Sequence, residues 1–248
     1  MLRSLKSLIN YVLKAEDGEI GRCTDFLFDD EKWVTRYIVA DTGKWLPGRK
    51  VLISPISLGE PDWSSRRFPV KMTRDEVESS PPLDADAPVS RKYEKMLFDH
   101  YGWSYYWMGA DLWGGLPYPP PVAVPPPERA KPMRKEELEK IHLRSLNEVK
   151  GYDIEALDGE IGHAEDFIVD DTSWVFRYMV VDTRKWLPGR KVLVSPEWID
   201  TIIWAENHVK VDLTVNEVKE SPKYDPSRPV NREYEVVLYD YYGRPQYW

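Results

Sequence analysis

The stretch Asp17 to Pro55, DGEIGRCTDFLFDDEKWVTRYIVADTGKWLPGRKVLISP, returns at Asp158 to Pro196 as DGEIGHAEDFIVDDTSWVFRYMVVDTRKWLPGRKVLVSP. The same offset, 141 residues, holds without a gap from Arg3-Ser4-Leu5, matched by Arg144-Ser145-Leu146, to Trp107, matched by Trp248. Roughly half of the aligned pairs are identical, and a period this long marks tandem domains rather than a solenoid. Each copy of roughly 105 residues is an ordinary size for a small domain. Beyond the quoted stretch, Tyr93 to Gly102 repeats as Tyr234 to Gly243.

Strand signals dominate each copy. Asp17-Gly18 is a turn dipeptide opening the run Glu19 to Phe28. Asp29 to Lys32 breaks that run, and Trp33, Thr35, Tyr37 and Val39 then alternate with Val34, Arg36, Ile38 and Ala40. Period two with aromatic and β-branched residues predicts a strand. Pro47-Gly48 and Pro188-Gly189 suit the centre of a type II turn, and Val51 to Ile53 and Val192 to Val194 follow as strands. A last strand around Phe68 to Met72, or Val209 to Leu213, gives five or six short strands, a number that closes readily into a small barrel. Thr73 with Glu76, and Thr214 with Glu217, fit capping boxes. A second helix starts near Ser90 or Asn231 and ends at Gly102 or Gly243.

Between the copies the composition changes. Gly114 to Pro121 and Pro125 to Pro127 carry neither period and read as an extended proline-rich spacer or a docking ligand for an aromatic groove. Met133 to His142 reads as a short solvated helix. The expected organisation is domain one over 1–110, a linker over 111–143 and domain two over 144–248. The expected fold is mainly β with short helices: two small β-barrels in tandem, each followed by a short helix.

The duplicated stretch resembles the PRC-barrel family, named from the cytoplasmic domain of the photosynthetic reaction centre H subunit. That family also includes a domain of a ribosome maturation factor and stand-alone bacterial proteins. The resemblance covers the Asp-Gly turn, the hairpin and the strand ending in Ser54-Pro55 or Ser195-Pro196. It implies a β-barrel interaction module without an established reaction. Its link to the H subunit implies a narrower version, in a membrane redox assembly.

Composition bounds the function classes. Over 248 residues, 34 Lys+Arg face 42 Asp+Glu, for a net charge of -8. Clustered cations are scarce, which disfavours nucleic acid as a partner. One cysteine, Cys23, excludes an intrachain disulfide and a cysteine-based zinc cage. Apolar runs stop far short of the ~20 residues that span a bilayer, and the N-terminus lacks a signal-peptide pattern. Cytoplasmic placement is the default, with peripheral contact at the inner membrane left open. Residues 1–110 carry 16 basic and 17 acidic residues, whereas 144–248 carry 13 and 20. The copies are therefore expected to meet different surfaces, and only the first suits an anionic one.

The search for chemistry returns no catalytic set, metal site or cofactor motif. His100, His142, His163 and His208 have no histidine in the twin position. Cys23 reads as a strand filler, Asp29-Asp30-Glu31 as a solvated hairpin turn, and Asp17 and Glu19 as turn residues. Two features invite a partner. Lys44-Trp45-Leu46-Pro47-Gly48-Arg49-Lys50 and its twin Lys185-Trp186-Leu187-Pro188-Gly189-Arg190-Lys191 set a Trp among cations. The aromatic ends, with Trp103 and Trp107 in one copy and Tyr247 and Trp248 in the other, either fold back or anchor another chain. The expectation is a non-enzymatic adaptor that binds protein partners without a cofactor, a homo-oligomer being left open. The alternatives are a ribosome- or RNA-associated factor and an enzyme with a pocket between the barrels.

Overall fold

The computed structural model describes residues 1–84, 88–121, 134–183 and 190–248. Pro125 to Pro127, Met133, Lys185, Trp186 and the Pro188-Gly189 turn lie outside the described residues. In chain order the strands are β1 (Leu2–Ser4), β2 (Val12–Lys14), β3 (Glu19–Asp29), β4 (Val34–Asp41), β5 (Lys50–Ile53), β6 (Arg67–Pro69), β7 (Leu143–Ser145), β8 (Asp153–Ala156), β9 (Gly159–Asp170), β10 (Phe176–Asp182), β11 (Lys191–Val194), β12 (Ile199–Ile203) and β13 (His208–Val211). The helices are α1 (Leu5–Leu8), α2 (Arg74–Glu78), α3 (Arg91–Tyr101), α4 (Lys135–Leu138), α5 (Leu146–Val149), α6 (Val215–Glu220) and α7 (Arg232–Tyr242).

The chain is mainly β, with two mixed sheets and short helices. It divides into two compact units, one of Leu8–Leu146 with Thr172–Val175, the other of Met1–Ser7, Asn147–Asp171 and Phe176–Trp248. The first-copy sheet runs β5-β4-β3-β2-β6 with β7 also on β3, and the second runs β11-β10-β9-β8-β13-β12 with β1 also on β9. Most pairs are antiparallel, whereas β2 with β6 and β8 with β13 are parallel. Among the described residues the strand pairing shows no closed barrel; in the first-copy unit β5 and β6 are the two ends of the strand order.

Local chemistry accounts for the elements. The hairpin of β3 and β4 pairs from Arg22↔Asp41 to Asp29↔Val34. Gly21 and Gly162 let that hairpin approach closely: a Cβ there would stand 2.1 Å from the carbonyl oxygen of Asp41 or Asp182. Both expected capping boxes are formed, Thr73 with Glu76 and Thr214 with Glu217. Ser90 and Asn231 cap α3 and α7, and Gly102 and Gly243 end them in the left-handed region. Leu97 and Phe98 of α3, like Leu238 and Tyr239 of α7, are buried, and each such side chain contributes about 2 kcal/mol from burial.

The units are not the contiguous segments 1–110 and 144–248. The Arg-Ser strand that opens each copy belongs to the other copy's sheet. β1 pairs with β9 through Leu2↔Asp170, Arg3↔Val169 and Ser4↔Ile168. β7 pairs with β3 through Leu143↔Asp29, Arg144↔Phe28 and Ser145↔Leu27, the twin register. Side chains repeat as well. Ser4 Oγ donates to Asp166 at 2.5 Å and Ser145 Oγ to Asp25 at 2.5 Å. Arg3 Nε donates to Asp171 at 3.1 Å and Arg144 Nε to Asp30 at 3.0 Å. One edge of the long β3 is thus shared by β2 near its start and β7 at its end.

The expected linker also contributes to a core. Trp113 is buried and its Nε1 donates to the Ser173 carbonyl at 2.9 Å. His142, just before β7, is buried too. Within 134–143 only α4 is the short exposed helix that the Lys- and Glu-rich composition predicts.

Candidate functional site

The Trp-cation turn separates into structural and outward parts. Arg49 donates to the Glu78 carbonyl at 2.5 Å and the Ser80 carbonyl at 2.6 Å, satisfying the end of α2. Trp45 is half-buried, with the Arg74 guanidinium 4.5 Å over its ring, while Lys44 and Lys50 are exposed. In the other copy Arg190 donates to the Ser221 carbonyl, and Lys191 Nζ lies 2.5 Å from Glu165. The arginines of this motif are helix-end ligands of their own unit.

The aromatic ends fold back on their own units. Trp103 is buried edge-on to Phe98, and Trp107 stacks on Tyr105 at 4.9 Å under the Arg91 guanidinium. Tyr247 donates to Glu235 at 2.6 Å, and Trp248 lies 4.0 Å below the Arg232 guanidinium while 44% exposed.

These ends lead to a buried polar cluster that the sequence reading did not find. Glu94 on α3, with no exposed surface, accepts hydrogen bonds from Tyr37 at 3.0 Å and Tyr106 at 2.6 Å. Arg91 stands 3.1 Å from its other oxygen and His142 Nε2 3.3 Å away. His142 Nε2 is also 2.9 Å from the Tyr106 oxygen. Because the Tyr106 proton goes to Glu94, the His142 nitrogen donates to Tyr106 in turn. Next to them Arg36 pairs with Asp29 at 3.0 Å, donates to the Leu112 carbonyl at 2.6 Å and stacks 3.8 Å over Tyr106.

Burial raises Glu94 to about 6 against the pull of Arg91 and the tyrosines. Burial and then Arg91 push His142 down to about 3. Burial alone would raise Asp29, but the charge and hydrogen bond of Arg36 outweigh it and hold the carboxyl below its usual range. Asp29 is therefore a buried ion-pair partner, not part of a solvated turn. A carboxylate without exposed surface cannot touch a solute, so the chemistry of this cluster is fastening. It ties α3, β4, the aromatic end and the residue before β7 together.

Cys23 is fully buried and burial pushes its thiol far up, which leaves it a neutral filler. Asp17 accepts from the Arg74 amide at 2.8 Å and Asp158 from the Val215 amide at 2.7 Å, so both serve helix starts. Among the described residues no group of three or more His, Cys, Asp or Glu could hold a metal ion. No described helix is long and apolar enough to cross a membrane. A cavity of about 430 Å³ in the second-copy unit is lined by Lys6, Glu165, Asp166, Lys191 and Tyr224 among others. Its charges are mutually satisfied: Glu165 meets Lys6 at 2.8 Å and Lys191 at 2.5 Å, and Asp166 accepts from Ser4 and the Lys6 amide.

The strongest exposed contrast lies on one sheet face. In the first-copy unit Tyr11, Leu13, Phe68 and Val70 point inward, so Lys14, Arg67 and Lys71 point out. The ladder sets Val12 opposite Arg22 on one side and Arg67 on the other, and Lys14 opposite Glu19 and Pro69. Lys14, Arg22, Arg67 and Lys71 are all exposed, with two anions among them, Glu19 at 3.5 Å from Arg67 and Asp62 bridged opposite Arg67. At the rim Arg66 lies 5.4 Å over Tyr11, and Trp63 is 37% exposed beside it.

The same ladder in the second-copy unit sets Asp153 opposite His163 and His208, and Glu155 opposite Glu160 and Lys210. With Asp212, this face has the anions Asp153, Glu155, Glu160 and Asp212, and Lys210 and Arg244 are its cations. Glu155 meets His208 at 2.9 Å and Lys210 at 3.5 Å, and Arg244 reaches Asp212 at 2.9 Å from the end of α7. Position by position, Lys14 has become Glu155, Lys71 Asp212, Arg66 Asn207, and Arg22 and Arg67 histidines. A strand-by-strand comparison of charge between copies carries this signal; the net charge of each copy does not locate it. Compared with protein-family models and with curated proteins, the chain matches none of either.

Proposed function

We propose that this chain is a non-enzymatic protein-interaction adaptor whose two units present unlike docking faces. The observation that carries the reading is the inversion of charge on one sheet face between two units of the same backbone plan, cationic around Lys14, Arg22, Arg67 and Lys71, anionic around Glu155, Glu160 and Asp212. Complementary potential selects partners and suppresses wrong ones, so opposite faces select different partners. The inaccessible Glu94 cluster supports a binding role over a catalytic one, since its titratable groups are used inside the fold. On the resemblance of Asp17 to Pro55 and Asp158 to Pro196, the units are read as PRC-barrel-type modules, an interaction fold. Trp63 with Arg66 and Arg67 replaces the Trp45 turn as the aromatic and cationic element of the first docking face.

The test is comparative capture from a native lysate. Wild type, a cation-reversed variant (Lys14→Glu, Arg22→Glu, Lys71→Glu) and an anion-reversed variant (Glu155→Lys, Glu160→Lys, Asp212→Lys) are used as baits. The two variants are expected to lose different sets of proteins. An unchanged set in both, or loss of one common set, sinks the reading.

A further inference from the structure

We infer that one partner of the cationic face is the anionic face of a second copy of this chain, so that the protein associates head to tail. The inference rests on the two-face reading and names a partner for it. Three observations carry it. The first-copy face holds four exposed cations, Lys14, Arg22, Arg67 and Lys71, with the anions Glu19 and Asp62, and the second-copy face holds four anions, Asp153, Glu155, Glu160 and Asp212, with the cations Lys210 and Arg244. Both are built on equivalent three-strand ladders, β3-β2-β6 and β9-β8-β13, so they match in strand number and direction. Exposed Lys14 and Lys71 change sign to Glu155 and Asp212, Arg22 and Arg67 become histidines and Glu19 stays acidic as Glu160, whereas the buried positions keep their apolar character, Leu13, Phe68 and Val70 corresponding to Ile154, Val209 and Val211.

Electrostatics then chooses the symmetry. Cation face on cation face and anion face on anion face both repel, so a two-fold contact of either with itself is unfavourable. Only the unlike pair attracts. A contact between different patches on identical molecules is heterologous and propagates as a ring or an open row. Arg67, Glu155 and Asp212 each already have an ion-pair partner in their own unit, Glu19, His208 and Arg244, and Arg22 donates to the Asn10 carbonyl, so Lys14 and Lys71 supply the cationic side of the contact. Attraction between exposed charges is weak for each pair and screened within ~10 Å at about 0.1 M salt, so the association is salt-sensitive.

Sedimentation velocity of the purified full chain tests this at about 20 mM and about 300 mM salt. The expected result is a concentration-dependent rise above the monomer mass at low salt, with an association constant about tenfold lower at high salt. The cation-reversed and anion-reversed variants defined above are each expected to stay monomeric alone. A 1:1 mixture of the two is expected to associate again, because the first then carries two anionic faces and the second two cationic ones. That rescue also shows that both variants fold. A monomer at low salt overturns the inference, as does a mixture that stays monomeric. Wild-type binding to anionic phospholipid vesicles or RNA in place of self-association overturns it too. If self-association fails while the lysate baits still lose different proteins, only the identity of the partner falls; if the baits lose none, the two-face reading falls with it.

Discussion

Glu94 and Glu235 occupy the same place in the two copies, are both buried and keep the same company, yet the arginine beside one is covered and the arginine beside the other is not. Each accepts from two tyrosines, Tyr37 and Tyr106 in one case, Tyr178 and Tyr247 in the other. Each faces an arginine three residues earlier on its helix at 3.1 Å. The arginine side chain is 9% exposed at Arg91 and 52% exposed at Arg232. Residues beyond the repeat make the difference in the first-copy unit: Leu112 and Trp113 cover Arg36, and His142 fills in beside Glu94. The twin of His142 is Met1. The same residues thus serve as a buried network in one unit and a half-wet one in the other, and their energetic weight should differ accordingly.

The largest expected effect breaks that comparison at its arginines. Arg36→Ala leaves Asp29 buried without its partner and should destabilise by about 3–5 kcal/mol. Arg177→Ala removes a 3.8 Å pair to a partly exposed Asp170 and the cation–π contact 3.9 Å over Tyr247, and should cost about 1–2 kcal/mol. Urea unfolding of both variants decides it, and equal losses would show that cover does not matter.

Next comes pH. Glu94 is raised in the folded state, so its contribution is complete below about 4.5 and is lost as pH rises through about 6. His142 is lowered, so its contribution is complete above about 6.5 and is lost as pH falls toward about 3. Between about pH 7 and 5 the two oppose, each on the order of 2 kcal/mol. Wild-type stability should be nearly level across that window. Glu94→Gln should make the protein weaken on acidification, and His142→Met should make it strengthen; level profiles in both would remove the network from the titration.

A smaller effect sharpens the comparison where the copies agree. Ser4→Ala and Ser145→Ala each remove a hydroxyl donor to a carboxylate and should each cost about 1–2 kcal/mol, matching within about 0.5 kcal/mol. Different losses in thermal unfolding would mean that β1 and β7 are not held alike. The smallest effect concerns the outward tip of the Trp-cation turn. Lys44→Ala should change stability by less than about 0.5 kcal/mol, because the side chain is exposed.

What the sequence discloses follows from how far each signal reaches. Capping boxes, the glycines that end α3 and α7, and the β3–β4 hairpin are written within a few residues, and those were legible. β1 and β7 are three residues each and carry no period, so nothing local marks Arg3-Ser4 or Arg144-Ser145 as strand, still less as strand for the other copy's sheet. Arg36 sits in an alternating run and therefore looks like an outward residue, but β4 is covered on both faces from Val34 to Ala40. An alternation rule assumes one wet side, and here there is none. The charged faces proposed for docking were half legible. Lys44 and Trp45 drew attention by forming a motif, whereas Lys14, Arg22 and Lys71 are scattered in sequence and meet only through the ladder.

The traded strands have a consequence for how the protein is made and unmade. During translation the sheet of the first copy cannot be completed until residue 145 has left the ribosome, and the opening strand must wait for residue 170. Closure of such distant pairs is slow, so maturation should lag behind synthesis. Conversely, a protease nick between Pro121 and Arg134 would yield two fragments that each still hold a strand in the other's sheet, and they should travel together until denatured.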